Sequence, residues 1–322
     1  MISDPVPVVL SPIGIDPGAR AIAVALSGGP DSMALLHHLS STSPDGFQIH
    51  ALTVDHGLRP ESVDEAKRVR EWVSGWRNVA HHILVWDGDK PKTGIMEAAR
   101  DARYRLMGEW CTAHGIKDIF LGHNLTDQAE TVLFRIAKGS GLDGLRAMTD
   151  IASGLCILHR PFLGVPKQEL ENYCTVQSIP FVVDPTNAND AYARSRIRKS
   201  WPVLEEEGLT QRRLAVLASR CDRAVGALRD WTARAWAEIQ IENTPDRIVL
   251  DLIQWRALPD EIGVRILRTA FDVLNRHPRL EQVEDLFRRM TETGSHRHTL
   301  GGLCVTIDQK TGRIVFEDEK PC

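Results

Sequence analysis

Six consecutive residues, Ser27-Gly28-Gly29-Pro30-Asp31-Ser32, have the chemistry of a phosphate site. The apolar run before them, with Ile22 and Val24, and the helical spacing of apolar residues after Pro30 predict a buried strand, a tight turn and a helix start. First-turn N–H groups of a helix lack partners within the helix, and two glycines let an anion approach where a Cβ would otherwise stand. Ser27 and Ser32 add hydroxyl donors. Asp31 is the odd member, because a carboxylate repels a phosphate unless a divalent cation lies between them, so the set points to magnesium on Asp31. An ordinary capped strand-to-helix turn explains the two glycines equally well. The stretch has neither the Gly-Lys-Ser/Thr of a Walker A loop nor the Gly-x-Gly-x-x-Gly of dinucleotide folds.

Three further groups stand where chemistry is possible. Asp55 and His56 follow an apolar strand-like run, as turn residues or as ligands of a nucleotide. In Gly122-His123-Asn124-Leu125-Thr126-Asp127-Gln128-Ala129-Glu130-Thr131, the spacing places Asp127, Glu130 and Thr131 on one face at a helix start. A capped, solvated helix start accounts for the acids and less well for His123 and Asn124. Glu97, Arg100, Arg103 and Tyr104 share a helix face, where internal Glu-to-Arg pairing competes with bidentate capture of a phosphate or carboxylate in a cleft. Finally, Arg194-Ser195-Arg196-Ile197-Arg198-Lys199 and the arginines at 212, 213, 220, 223, 229 and 234 form the most basic part of a chain whose net charge is −4. They suit either a solvated face or several RNA phosphates.

The elements that must position these groups alternate. Strands are expected at 21–26, 47–54, 79–86 and 118–122, with helices at 33–39, 61–76, 96–114 and 127–138, the pattern of an α/β doubly wound parallel sheet. Such sheets bind ligands at the carboxyl ends of their strands, where the glycine loop, Asp55 and Gly122 fall. A chain of 322 residues favours two domains. We expect a leader at 1–20, a first domain at 21–204 and, after the turn-like Glu205-Glu206-Glu207-Gly208, a smaller, mainly helical α+β domain at 205–322. Within that second part, a long helix to about 240, a strand at 248–252, helices near 261–274 and 280–291, and a hairpin at 304–316 are expected. His296 and His298 lack a third partner for a metal and read as exposed polar residues or an RNA contact. No apolar run is long enough to span a bilayer and no basic, signal-like start is present, so a cytoplasmic protein with no membrane association is expected. The six cysteines are scattered, which fits reduced, packed thiols.

The glycine loop resembles the SGGxDS loop of the N-type ATP pyrophosphatases, the PP-loop superfamily with an adenine nucleotide alpha hydrolase-like fold. The resemblance narrows with Gly122 to Thr131, Gly139-Ser140-Gly141-Leu142-Asp143-Gly144-Leu145, Val54-Asp55-His56-Gly57-Leu58-Arg59, Glu97 with Arg100, Arg103 and Tyr104, Arg160-Pro161-Phe162-Leu163, and Asp184-Pro185-Thr186-Asn187 with Arg194 and Arg198. Together these resemble the tRNA(Ile)-lysidine synthetases over residues 21–204. The resemblance implies ATP and magnesium as cofactors and free L-lysine and the CAU-anticodon tRNA(Ile) as partners. It also implies lysidine formation at the wobble cytidine through an adenylated intermediate. ATP is expected at Ser27, Gly28, Gly29, Pro30, Asp31, Ser32, Asp55, His56, Gly122 and His123. Lysine is expected at Glu97, Arg100, Asp127 and Glu130, and tRNA at Arg194, Arg196, Arg198 and Lys199. Asp31, Asp127 and Glu130 are the expected catalytic acids. Ser195 departs from the asparagine usual in this motif, and a hydroxyl replaces only part of an amide's hydrogen bonding. The tail resembles the first C-terminal domain of these enzymes, and the second one of longer relatives is not expected. Oligomeric state stays open, a homodimer included. A cytidine thiolase of the superfamily would carry paired cysteines, a GMP or NAD synthetase a different motif set, and a non-catalytic RNA binder only the basic half.

Overall fold

The apolar run before the glycines lies at the middle of a sheet, and Ile22, Ala23 and Val24 are fully buried there. The structure, a computed structural model, describes residues 10–11, 13–16, 18–58, 62–91, 93–153, 156–182, 193–292 and 297–319. Strand β1 (Ala21–Ala25) passes through the glycine loop into α1 (Pro30–Thr42). Then follow β2 (Gln48–Asp55), α2 (Ser62–Val73), β3 (Val79–Val85), α3 (Ile95–Ala113), β4 (Asp118–Phe120) and α4 (Leu125–Ala137). A one-turn α5 (Leu142–Leu145), strands β5 (Ile151–Ser153) and β6 (Cys156–His159), α6 (Lys167–Val176) and α7 (Ala193–Glu206) complete this half. The sheet order is β3-β2-β1-β4-β6-β5, parallel throughout except for β5, which pairs antiparallel to β6 at the edge.

The chain steps outward from β1 to β2 and β3, then returns to the other side of β1 at β4. The carboxyl ends of β1 and β4 therefore flank the point where strand order reverses, the place where open α/β sheets hold ligands. Two element boundaries matter for function. The fourth strand stops at Phe120 rather than at 122, and α4 begins two residues before the expected start, with Asn124 as its N-cap. The β5–β6 hairpin and α6 have no counterpart in the sequence reading, because strands of three and four residues carry too little periodicity to register. Part of the expected leader belongs to the core: Leu10 is buried, with Ile13, Ile15 and Ala19 packed against the same cluster.

The remaining elements are α8 (Gln211–Ile239), β7 (Gln240–Thr244), β8 (Arg247–Asp251), α9 (Leu252–Arg256), α10 (Asp260–Val273), α11 (Leu280–Glu292), β9 (Arg297–Leu300), β10 (Leu303–Asp308) and β11 (Arg313–Asp318). The last five strands form one antiparallel sheet, β7-β8-β11-β10-β9, over an apolar core that includes Trp255, Ile262, Phe271 and Phe316. The chain divides into two compact units, Met1–Asp222 and Arg223–Cys322, inside α8 and not at the expected 205. The reason is packing: Leu214 and Ala218 from the first half of α8 share a cluster with Trp201 of α7 and Ala129 and Val132 of α4. His298 also departs from expectation, since it is buried opposite Val305 in the β9–β10 ladder. His296 lies outside the described residues. Among the described residues no helix is long and apolar enough to cross a membrane.

Candidate active site

The glycine loop is built as a socket. Gly28 sits at φ 81°, a left-handed conformation, and a Cβ there would lie 2.5 Å from Val69 Cγ2, so only glycine fits without moving α2. Gly29 caps α1 with extended backbone and no side-chain bond to its N–H groups, and Pro30 takes the first helical position, where no N–H is needed. Ser32 Oγ accepts from the Ser27 N–H at 3.2 Å, lies 3.1 Å from Ser27 Oγ and donates to the Gly29 carbonyl at 3.0 Å. The Gly28 carbonyl is occupied by the Val182 N–H at 2.8 Å. The carbonyls of Gly28 and Gly29 are thus engaged within the protein, and the first turn of α1 carries no side-chain cap.

The end of β4 meets this loop through a second glycine. A Cβ on Gly122 would lie 2.9 Å from the carbonyl carbon and oxygen of Asp31, so a bare backbone here lets the β4–α4 turn touch the first turn of α1. The contact brings two helix starts and their acids together. Asn124 and Asp127 form a capping box, with the Asp127 N–H on Asn124 Oδ1 and the Asn124 N–H on Asp127 Oδ2, each at 3.1 Å. Burial and the neighbouring Asp127 carboxylate push the Asp31 pKa up to about 6, against the pull of the Lys167 ammonium and the Asn124 amide. Asp31 Oδ1 is buried and takes no hydrogen bond among the described residues. A half-buried carboxylate facing a second one, with an unused oxygen, is a fit for a divalent cation. Among the described residues no three histidines, cysteines or acids converge into a metal cage. Magnesium here would rest on Asp31 together with ligand phosphates, as its preference for few carboxylates allows.

Glu130 and Arg198, expected on the lysine and on the tRNA respectively, bind each other. Glu130 is fully buried, with Oε1 2.5 Å from Arg198 Nε and Oε2 3.3 Å from its terminal nitrogen. Its hydrogen bond to Glu130 holds the Arg198 guanidinium firmly protonated, and Asp127 and Asp31 add to the effect. This pair joins α7 to α4 and corrects the expectation that Glu130 meets an amine directly. Arg196 and Lys199 are exposed on the same helix. The side chains of Arg194 and Ser195 lie outside the described residues, as do Arg59 and Asp184-Pro185-Thr186-Asn187.

Asp55 and His56 stand at the end of β2. Asp55 is buried and accepts the Gly57 N–H at 2.8 Å, an Asx turn that shapes the strand's exit. His56 packs edge-on to Trp86 and lies 3.5 Å from Arg103, and burial with the Arg103 charge lowers its pKa. His123 is half-buried directly after Gly122. On α3, Glu97 and Arg100 are both exposed, and Arg100 lies over the Tyr104 ring at 5.0 Å, so the expected alternative of a Glu97–Arg100 pair does not form. Lys167, at the start of α6, was missed by sequence reasoning. Its only signal is a cation one residue past Pro166, at a helix start that periodicity did not reveal, yet its charge acts on Asp31. Arg160 is also buried, donating to the Thr149 carbonyl while its own N–H meets Asp150 Oδ1 at 2.9 Å, which ties the exit of β6 to the segment that leads into β5.

Comparison with known proteins bears on the family and on the fold. The family model described as the PP-loop domain matches residues 9–204. A Methylobacterium sp. (strain 4-46) protein named tRNA(Ile)-lysidine synthase is 39% identical over 320 residues, covering 96% of this chain and 92% of that protein. One of the same name from Methylobacterium nodulans is 40% identical over 326 residues, covering 95% and 93%. A third, from Rhodopseudomonas palustris, is 37% identical over 291 residues, covering 87% and 82%. Among solved structures, the U34-tRNA thiolase NcsA from Methanococcus maripaludis, with its 4Fe-4S cluster, superposes with a TM-score of 0.53 at 16% identity. It covers 62% of this chain and 72% of that one, a likeness of fold alone.

Proposed function

This chain belongs to the tRNA(Ile)-lysidine synthases of the PP-loop family, and from that premise we propose how its residues divide the work of joining lysine to a tRNA cytidine. The reaction has two displacements. The C2 oxygen of cytosine attacks the α-phosphorus of ATP, the bond to the β-phosphate oxygen breaks, and pyrophosphate leaves. The neutral ε-amine of free lysine then attacks C2, the C2–O bond breaks, AMP departs, and the amine gives up a proton.

The Ser27-to-Ser32 socket receives the pyrophosphate, with Gly28 and Gly29 giving access to backbone N–H groups and the two hydroxyls adding donors. Magnesium on Asp31 neutralises phosphate charge when bound. Asp55, His56, Gly122 and His123 line the nucleotide end at the tips of β2 and β4. Asp127 offers the oxygen not used in its capping box to the lysine ammonium and takes its proton, since only the free base attacks. Glu97 and Arg100, exposed on α3, serve the α-amino and carboxylate groups of lysine. Glu130 acts at one remove, by holding Arg198 and with it α7, whose exposed Arg196 and Lys199, with Arg194, meet the RNA backbone.

The observation that carries this reading is the meeting of Asp31 and Asp127 at two helix starts, enforced by Gly122. The test is mass analysis of CAU-anticodon tRNA(Ile) after incubation with ATP, magnesium and isotopically labelled lysine. A labelled lysine residue on the wobble cytidine is expected. Unchanged tRNA in the presence of active nucleotide turnover overturns the reading.

A further inference from the structure

The peptide between Leu26 and Ser27, by which β1 gives way to the glycine loop, is held at both ends by side chains. Its N–H, from Ser27, donates to Ser32 Oγ at 3.2 Å, and its carbonyl, from Leu26, accepts from Thr53 Oγ1 at 2.8 Å. Both Leu26 and Thr53 are buried, and among the described residues no other group donates to that carbonyl. The backbone ladder between β1 and β2 ends with the Leu26 N–H on the Leu52 carbonyl at 2.8 Å, so the hydroxyl replaces the next backbone donor.

Behind Thr53 stands His81 of β3, with Nε2 2.8 Å from Oγ1. A threonine hydroxyl has one proton, and here it goes to Leu26. The imidazole must therefore donate through Nε2–H, which leaves Nδ1 deprotonated; that atom is buried and without a hydrogen-bond partner among the described residues. Burial, aided by the Arg70 charge, drives the His81 pKa down to about 4, so the neutral tautomer persists through the neutral range. With His81 donating into one lone pair, the hydroxyl of Thr53 has a single good orientation.

We propose that Thr53, backed by His81, is the positioning residue that aims the N–H groups of the phosphate loop. Neither side chain touches substrate. A peptide free to rotate at the root of the loop would swing the donors that follow it, and preorganised donors stabilise an anion because they need not reorient. The inference rests on the reading of residues 27–32 as the pyrophosphate site.

Thr53→Val keeps the shape and removes the hydroxyl, whereas Thr53→Ser keeps the hydroxyl. The readouts are pyrophosphate affinity by calorimetry with magnesium, and the KM values for ATP and lysine in tRNA modification. The valine variant is expected to bind pyrophosphate about tenfold more weakly and to raise the KM for ATP, with the KM for lysine unchanged. The serine variant recovers most of both. A valine variant equal to the unaltered protein, a serine variant that fails to recover, or a lysine KM that moves with that of ATP overturns the proposal. If Thr53→Val does not fold, His81→Leu and His81→Gln decide it: loss in the first with recovery in the second supports the relay, and equal behaviour overturns it. A chain that binds pyrophosphate yet makes no lysidine would sink the functional reading alone, because pyrophosphate affinity still decides this one.

Discussion

Asp31 combines two demands that oppose each other, half-burial and a carboxylate neighbour, and its raised pKa records the conflict. The divalent cation proposed on Asp31 would resolve it, so Asp31→Asn, which keeps the shape and loses the charge, is expected to cut ATP–pyrophosphate exchange about a hundredfold or more. Filter binding of tRNA should be unaffected, and exchange at the normal rate would remove the acid from the site. Gly122→Ala tests the neighbouring contact. Its Cβ would meet the Asp31 carbonyl, a backbone atom that cannot swing aside, so a loss of about 1–3 kcal/mol in thermal unfolding is expected, with activity falling further than stability. Much of this was legible in the sequence, because a glycine pair, an acid and two serines within six residues are local chemistry. The contact of Gly122 with Asp31 and the charge of Lys167 were not, since no local pattern ties residues that meet only through the sheet.

At the scale of elements, α4 and α7 are joined among the described residues by the ion pair of buried Glu130 with half-buried Arg198 and by Trp201. Removing Arg198 takes a cation from a carboxylate that is fully buried, which costs more than removing both partners. Arg198→Met is therefore expected to lower stability by about 3–5 kcal/mol, and Glu130→Leu combined with Arg198→Met to recover a large part of it, as a thermal double-mutant cycle would show. Additive losses would mean that the pair carries no coupling. Asn124→Ala breaks the capping box and should cost about 1 kcal/mol by the same measurement. The long periodic helices and the hairpin at the C-terminal end were predictable from spacing alone. The partnership of Glu130 with Arg198 was not, because both had plausible solvent or substrate roles and 68 positions separate them. The run of glutamates at 205–207 looked like a domain boundary, yet the core continues past it, since Leu214 and Ala218 supply apolar surface that α4 and α7 need.

For the whole molecule, buried histidines are expected to weaken the fold as the pH falls. His37, His38, His50, His56, His81 and His82 all have lowered pKa values, chiefly from burial, and all lie in the first unit. The unfolded chain binds these protons more readily than the folded one. Their contribution to stability is thus complete above the unfolded value near 6.5 and is lost as pH falls toward the folded values, about 4 for His81. The melting temperature should drop between pH 7 and pH 5, and a flat profile would show that the imidazoles are solvated. The second unit has its own core of Trp255, Ile262, Ile266, Phe271 and Phe316, so residues 223–322 expressed alone are expected to unfold cooperatively by circular dichroism.

The cap on α4 has a bearing on how amines are selected. Asp127 spends Oδ2 on its own helix, so in the role proposed for it a visiting ammonium would be met by one oxygen on a carboxylate that is not free to pivot. Under that proposal such an acceptor would measure length: a side chain shorter by one methylene, as in ornithine, could not be met halfway, and discrimination against it would rest on the same bond that keeps the first turn wound.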